Sequence, residues 1–167
     1  QKVRQIQQIG GNRSEQGRFQ PLHINPVVED VLDLTRARWQ DEADSRGVSY
    51  DLRWSPGATS PIDGSSSDLR AALVALVFNG LEAMADGGEL ALRTGETEQG
   101  EVLIEVKDSG EGIRREDISR LTDAFFTTRT DRRMGLGLHL VQMFIERHGG
   151  RLDVRSTLGA GSIFSMI

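Results

Sequence analysis

Three stretches of the chain repeat apolar side chains every three or four residues, which is the spacing of an amphipathic helix. The first begins at Asn25-Pro26, a typical helix N-cap followed by a first-turn proline, and ends near Gly47. The second covers residues 68–86 and the third covers residues 137–148. On the first helix one face carries Val28, Val31, Leu32, Thr35 and Trp39.

Six shorter segments have the pattern of strands, with alternating residues or turn residues at their ends. In chain order they are GRFQPLHI, VSYDLRW, ELALRTG, EVLIEVKD, RLDVRS and SIFSMI. Pro21 favours an edge position for the first strand, and SPGATSPIDGSSS is predicted to be a loop. Strands outnumber helices, which favours an α/β (α+β) fold with a layer of helices on one face of a mixed sheet.

The composition is that of one globular domain, with 167 residues, 37% hydrophobic and 27% charged. A net charge of -5 argues against a nucleic-acid partner. The chain has no cysteine, and no apolar run approaches the roughly 20 residues of a membrane span. Because the chain opens with Gln1, and Val3, Ile6 and Ile9 form a short helical stripe, we expect an excerpt of a longer protein.

Asp108 ends the strand EVLIEVKD on the face that carries Ile104 and Val106. A carboxylate at the end of an apolar row is costly unless it is paired or hydrogen-bonded, and the amino group of adenine is a suitable donor. Gly110 and Gly112 follow at once and allow the backbone to turn sharply beside a flat ring or a phosphate. An ordinary turn capped by the aspartate explains these residues equally well.

Asn79 lies inside the second predicted helix, although asparagine is a poor helix former. Its amide oxygen is a ligand type that Mg²⁺ accepts together with water and phosphate oxygens, and a surface asparagine is the alternative. Gly135 and Gly137 precede the third helix, whose N-terminal N–H groups suit a phosphate. Three arginines stand just upstream and can meet phosphate oxygens: Arg129, Arg132 and Arg133.

Together these segments resemble the catalytic, ATP-binding domain of bacterial sensor histidine kinases, in the group that also contains DNA gyrase, heat-shock chaperone ATPases and mismatch-repair ATPases. ALVALVFNGLEAMADGG resembles the asparagine box, VKDSGEGI the first glycine box, DAFFTTR the phenylalanine box and MGLGLHLV the second glycine box. ERHGGRLDVRSTLGAGSIFSM resembles the closing stretch of the family. The resemblance covers roughly residues 20–167. The NGLEAM and FFTT motifs are most similar to those of kinases related to nitrogen-regulation sensors.

The resemblance implies a two-layer sandwich, the Bergerat fold. Its mixed, mostly antiparallel sheet of about five strands is covered on one face by three helices. Residues 18–167 would form the catalytic domain, with an ATP lid at about 113–134. Residues 1–12 would be the tail of the helical hairpin that dimerises and carries the phosphoacceptor histidine.

The resemblance also implies roles for residues. Asn79 would ligate magnesium, Asp108 would bind the adenine amino group, and Arg129 would act with Asn79 in catalysis by binding the γ-phosphate. The residues expected at Mg-ATP are Asn79, Asp108, Gly110, Gly112, Ile113, Phe126, Thr127, Thr128, Arg129, Gly135, Leu136, Gly137 and Leu138.

The implied function is transfer of the γ-phosphoryl group of ATP to a histidine of the hairpin, for relay to an aspartate on a response-regulator receiver domain. The full-length protein would be a homodimer, with this domain in the cytoplasm and an inner-membrane anchor as an option. None of His23, His139 and His148 has the acceptor context of the family. We therefore expect the excerpt to bind ATP without completing histidine phosphorylation alone.

Two positions depart from the family pattern. Ala75 stands where many members carry a first asparagine, and Arg133 replaces the first glycine of the second glycine box. Two alternatives therefore stay open: an ATP hydrolase of the gyrase or chaperone kind, and a degenerate nucleotide-binding interaction module. The hydrolase needs a carboxylate base one turn before the metal ligand, where Ala75 stands. An anti-sigma-factor serine kinase is disfavoured by the helical tail.

Overall fold

The computed structural model describes residues 19–121 and 137–167. No helix within these two ranges is both long enough and apolar enough to cross a membrane. In chain order the elements are β1 Gln20–Leu22, α1 Ile24–Arg46, β2 Tyr50–Ser55, β3 Ile62–Gly64, α2 Ser66–Ala83, β4 Gly88–Glu96, β5 Val102–Asp108, α3 Arg115–Ile118, α4 Gly137–Arg147, β6 Leu152–Thr157 and β7 Gly161–Met166.

Five strands form the main sheet in the order β2-β4-β5-β7-β6. β2 and β4 are parallel, whereas the other three neighbouring pairs are antiparallel. β1 and β3 form a separate antiparallel pair. The predicted mixed, mostly antiparallel sheet of five strands is therefore confirmed.

The helices cover one face of this sheet, and α2 packs against both α1 and α4. Ser65 caps α2 by accepting a hydrogen bond from the Asp68 N–H at 3.3 Å, so the helix starts slightly before the predicted 68–86 segment and ends at Ala83. The two layers share one apolar core. Its fully buried side chains include Ile24, Val28, Leu69, Leu73, Leu76, Leu90, Leu92, Val106 and Phe164.

Two local predictions are wrong. Asn25 does not cap α1, because His23 occupies the N-cap position and Asn25 lies inside the first turn. The Asn25 amide instead donates to the Gly57 carbonyl at 2.9 Å and accepts from the Thr94 hydroxyl at 2.6 Å, which ties α1 to β4. The segment predicted to be a loop after β2 contains the short strand β3.

The face of the sheet away from the helices carries a charge cluster around Glu105. This side chain is only 8% exposed, and it is paired with Arg93 of β4 and, at 3.3 Å, with Arg155 of β6. Ser165 of β7 donates a further hydrogen bond at 3.1 Å. Burial by itself disfavours the charged form, but the hydrogen bonds and positive charges outweigh it and lower the pKa of Glu105.

We predict that Glu105→Gln lowers the free energy of unfolding at pH 7 by about 1–2 kcal/mol, a modest value because both arginines are exposed. A carboxyl group whose folded pKa lies below its unfolded value of about 4.3 stabilises the protein above that pH. The contribution is lost as the pH falls through the folded pKa. The gap between parent and variant should therefore narrow below about pH 4 in urea titrations.

The matched control is Glu116→Gln, because the Glu116 side chain is 72% exposed. This variant should follow the parent closely at every pH. A Glu105→Gln gap that stayed constant down to pH 3 would contradict the account of the cluster.

Candidate functional site

Asp108 ends β5 inside the protein, with 2% of its surface exposed. Its partners across the sheet are Leu90 of β4 and Ser162 of β7. One carboxylate oxygen accepts a hydrogen bond from the Gly110 N–H at 2.9 Å. Alternation along β5 places Asp108 on the helix-facing side with Val106, so the predicted position at the end of an apolar row is confirmed.

The last turn of α2 approaches the end of β5 closely at Gly80. A Cβ atom added there would lie 2.7 Å from Leu90 Cδ1 and 3.5 Å from Asp108 Cβ. A side chain at this position would push the helix away from the sheet. Gly80 therefore brings α2, and with it the neighbouring Asn79, close to Asp108.

Asn79 is half-buried on α2, and no hydrogen bond of its side chain is found within the described ranges. Ala83 follows it by four residues, so both lie on the same side of the helix. Ala75, one turn earlier, is partly buried against the core and offers no carboxylate. No group of three or more histidines, aspartates or glutamates that could hold a metal is found in the described part of the chain.

The turn after Asp108 is attached to the end of α2. The Glu111 N–H donates to the Ala83 carbonyl at 2.9 Å. A Cβ atom added at Gly110 would lie 2.4 Å from the same carbonyl oxygen. Gly110 is therefore required by the packing of the turn against α2, and not only by the approach of a ligand.

The second half of the turn is attached to the β6–β7 hairpin. The Gly159 N–H donates to the Glu111 carbonyl at 2.6 Å, and the Ile113 N–H donates to the Ser156 hydroxyl at 2.8 Å. Gly112 has φ +70°, and a Cβ atom there would lie 2.1 Å from the Thr157 carbonyl oxygen. The turn that carries Gly110, Gly112 and Ile113 is thus held from both sides by backbone.

Of the predicted nucleotide-binding residues near α4, the structure describes only those from residue 137 onward. Gly137 and Leu138 open α4, and among the described residues nothing lies within 4 Å of a Cβ atom added at Gly137. Leu138 is half-buried against the core. The remaining predicted residues lie outside the described residues: Phe126, Thr127, Thr128, Arg129, Gly135 and Leu136. The predicted helical tail at 1–12 also lies outside them.

A family model described as histidine kinase-, DNA gyrase B- and HSP90-like ATPase matches residues 64–167, which is more than half of the chain. The chain belongs to this family. The match includes Asn79, Asp108, Gly110 and Gly112, the residues whose positions are described above.

Two curated members of this ATPase family illustrate the degree of similarity. The sensor histidine kinase ZraS of Klebsiella oxytoca is 30% identical over 148 residues, which cover 89% of this chain and 31% of ZraS. The phosphate regulon sensor protein PhoR of Pseudomonas aeruginosa is 34% identical over 150 residues, covering 87% of this chain and 33% of PhoR. The chain thus spans about a third of the length of these relatives.

Solved structures share the fold. Full-length ShkA in complex with AMPPNP matches with a TM-score of 0.73 and 26% identity, over 89% of this chain and 30% of that one. The nucleotide-free catalytic domain of the histidine kinase ThkA matches with a TM-score of 0.73 and 22% identity, over 89% and 93%. The second likeness supports the two-layer fold alone.

One of the three histidines is fixed by two hydrogen bonds. The His148 Nε2 accepts the Ser65 N–H at 3.0 Å, and Nδ1 lies 2.8 Å from the Phe144 carbonyl. Since an N–H can only donate and a carbonyl can only accept, Nε2 is the acceptor and Nδ1 the donor. Nδ1 therefore bonds back to α4 itself, whereas Nε2 joins the end of α4 to the N-cap of α2.

A cavity of about 460 Å³ opens at a different end of the sandwich. Its walls include Ile62 of β3, Val102 at the start of β5, and Phe144 and His148 near the end of α4. Asp108 and Asn79 are not among its lining residues. The cavity is therefore separate from the predicted site.

Sequence reasoning missed the contribution of the β6–β7 hairpin to the site. It did not single out Ser156 or Ser162. Both lie on the helix-facing side of their strands, because they pair with each other and Ser162 pairs with Asp108. Alternation along the two strands was the available signal, and it became informative only once the register was known.

We predict that Gly110→Ala destabilises the protein by about 1–3 kcal/mol, because its new methyl group overlaps the Ala83 carbonyl. Thermal unfolding followed by circular dichroism measures the effect. Gly95→Ala is the matched control, since no atom of residues 19–121 or 137–167 lies within 4 Å of a Cβ atom at Gly95. Equal unfolding midpoints for the two variants would contradict the close packing of the turn on α2.

Proposed function

We propose that this chain binds Mg-ATP and donates the γ-phosphoryl group to a histidine on the dimerisation hairpin of a sensor histidine kinase. The observation that carries the proposal is the buried carboxylate of Asp108, held at the end of β5 beside the glycine turn and close to α2. Membership of the ATPase family supports the choice of nucleotide.

In this proposal Asp108 accepts a hydrogen bond from the 6-amino group of adenine. An ionised carboxylate only accepts hydrogen bonds, so it favours a base that presents donors at this edge. Guanine has a carbonyl at the same position and would meet Asp108 as a second acceptor. The nearly complete burial of Asp108 strengthens this discrimination, because water cannot replace the missing donor.

Asn79 would supply only one of the several oxygen ligands that Mg²⁺ needs. Mg²⁺ is usually held by one or two protein oxygens together with phosphate oxygens and water. A single half-buried amide, without an acidic cluster in the described residues, matches such a site once a nucleotide is present. The bound ion would supply neutralisation of the charge on the β- and γ-phosphates.

The first turn of α4 is suited to the phosphate tail. Its N-terminal N–H groups lack helical partners, and the helix dipole places positive charge there. Gly137 begins this helix, and no described residue would crowd a Cβ atom there, which fits an approach by phosphate oxygens. By family resemblance, Arg129, Gly135 and Leu136 complete the phosphate site, while Phe126, Thr127 and Thr128 belong to the lid.

The acceptor histidine is proposed to come from outside the described domain. The hydrogen bonds of His148 occupy both its ring nitrogens, so it is unsuited to attack a phosphorus atom. Leu140 and Met143, three residues apart on α4, are 57% and 48% exposed. This apolar strip at the site's own helix supports docking of a phosphoacceptor helix from a homodimeric hairpin.

In the full-length protein the phosphoryl group is proposed to pass to an aspartate of a response-regulator receiver domain. ZraS is named as a sensor histidine kinase and PhoR as a sensor protein, and their roles as sensors support a signalling relay of this kind. The need for ATP favours a cytoplasmic position of the domain, whether or not the full-length protein is anchored in the inner membrane.

Ala75, partly buried in the core, disfavours the hydrolase alternative because it cannot activate water.

We predict that the chain binds Mg-ATP and that Asp108→Asn weakens binding roughly 10- to 100-fold, the cost of losing a hydrogen bond to a charged group. Isothermal titration calorimetry measures both values. Asp63→Asn changes an exposed aspartate of β3 and should bind like the parent. Unchanged affinity in Asp108→Asn would refute the adenine-binding role, and no binding by the parent at millimolar nucleotide would favour the degenerate interaction module.

We predict that Asn79→Ala removes the magnesium dependence of nucleotide binding and leaves the metal-free component intact. Titrations with ATP are run in excess Mg²⁺ and again in EDTA. The parent should bind more tightly with the metal, whereas Asn79→Ala should bind similarly in both. Gln40→Ala, on the exposed side of α1, should retain the full magnesium effect. Persistent magnesium dependence in Asn79→Ala would show that another group holds the ion.

A further inference from the structure

The hydroxyl of Ser156 lies at the junction between the glycine turn and the β6–β7 hairpin. It accepts the Ile113 N–H at 2.8 Å, and it lies 2.9 Å from the Gly161 carbonyl oxygen and 2.9 Å from the Ser162 hydroxyl. One side-chain oxygen of β6 therefore contacts both the glycine turn and β7.

The chemistry of these groups orients the protons. A serine hydroxyl has one proton to donate and two lone pairs that accept. The Ile113 N–H can only donate and the Gly161 carbonyl can only accept, so Ser156 gives its proton to Gly161. For every contact to be a hydrogen bond, Ser162 must then donate to Ser156.

The direction of the Ser162 hydroxyl also affects the surroundings of Asp108. Ser162 is 4% exposed and lies directly across the sheet from Asp108, so the two side chains share the helix-facing side. Because its proton is committed to Ser156, Ser162 presents its lone pairs as acceptors. Asp108 and Ser162 together thus form an acceptor-rich edge, which suits a base that carries an amino group.

We propose that Ser156 is a positioning residue for the nucleotide. It holds Ile113 and the second half of the glycine turn in place, and it sets the direction of the Ser162 hydroxyl beside Asp108. It lies in neither the predicted metal site nor the predicted contact set of the nucleotide. This inference rests on the proposed function, because it assigns a consequence for ATP binding to a contact within the protein.

The rest of the turn has anchors that do not involve Ser156. Glu111 is bonded on one side to Ala83 and on the other to Gly159. Loss of the Ser156 hydroxyl would therefore release Ile113 while the first half of the turn stays attached. The apparent dissociation constant of a ligand rises in inverse proportion to the fraction of protein in the competent conformation.

The test compares Ser156→Ala with Ser156→Thr and with the control Ser165→Ala. Ser165 is a buried serine of the same sheet, but its hydroxyl donates to Glu105 on the opposite face. Calorimetry should show that Ser156→Ala raises the Kd for Mg-ATP roughly tenfold, the equivalent of one lost hydrogen bond. Threonine keeps the hydroxyl and should restore binding, while Ser165→Ala should bind like the parent.

Amide hydrogen exchange supplies a readout that a general loss of stability would not reproduce. In Ser156→Ala the Ile113 amide should exchange faster than in Ser165→Ala, after both are compared at equal global stability. Parent-like ATP affinity in Ser156→Ala, or equal weakening in Ser156→Ala and Ser165→Ala, would overturn the positioning role alone. Failure of the parent chain to bind Mg-ATP would overturn the proposed function, and this inference with it.

Discussion

The backbone of Glu111 connects three parts of the fold, the glycine turn, α2 and the β6–β7 hairpin, and the arrangement of the site depends on it. Its N–H bonds to the end of α2 at Ala83, and its carbonyl bonds to the β6–β7 turn at Gly159. Each such bond contributes only about 0.5–1.5 kcal/mol net, so the bonds alone do not explain the shape of the turn. Steric packing also fixes the shape of the turn, since neither Gly110 nor Gly112 has room for a Cβ atom. The polypeptide backbone thus packs on itself around the turn and fixes Asp108 opposite α2.

The two faces of the sheet have different roles: the outer face carries a stabilising charge cluster, and the inner face carries the candidate site. On the outer face Glu105 is paired with Arg93 of the adjacent strand β4 and with Arg155 of β6, which lies beyond β7, so charge links three strands. On the inner face the strands present apolar side chains until they end at Asp108, where the polar site begins. A carboxylate on a rigid strand is positioned better than one on a loop, which suits recognition of a base.

Most of the architecture followed from patterns that are local in sequence. The alternation that ends at Asp108 and the helical spacing on α1 and α2 predicted both layers and the buried carboxylate. Predictions failed where partners are distant along the chain. Asn25 has the residue type of a helix cap, but it bonds to Gly57 and Thr94, which only the folded chain brings near. β3 was missed because three residues give little pattern and their partner strand lies 40 residues earlier along the chain. The role of Ser156 likewise depends on the register of a hairpin.

A crystal structure of the chain with magnesium and a non-hydrolysable ATP analogue tests the central claim most directly. The account predicts the adenine 6-amino nitrogen at about 2.7–3.2 Å from a carboxylate oxygen of Asp108, with the ion bound by the amide oxygen of Asn79. The glycine turn should keep its contacts with Ala83 and Ser156. A base bound elsewhere, or Asp108 paired with a basic side chain while the nucleotide is in place, would contradict it.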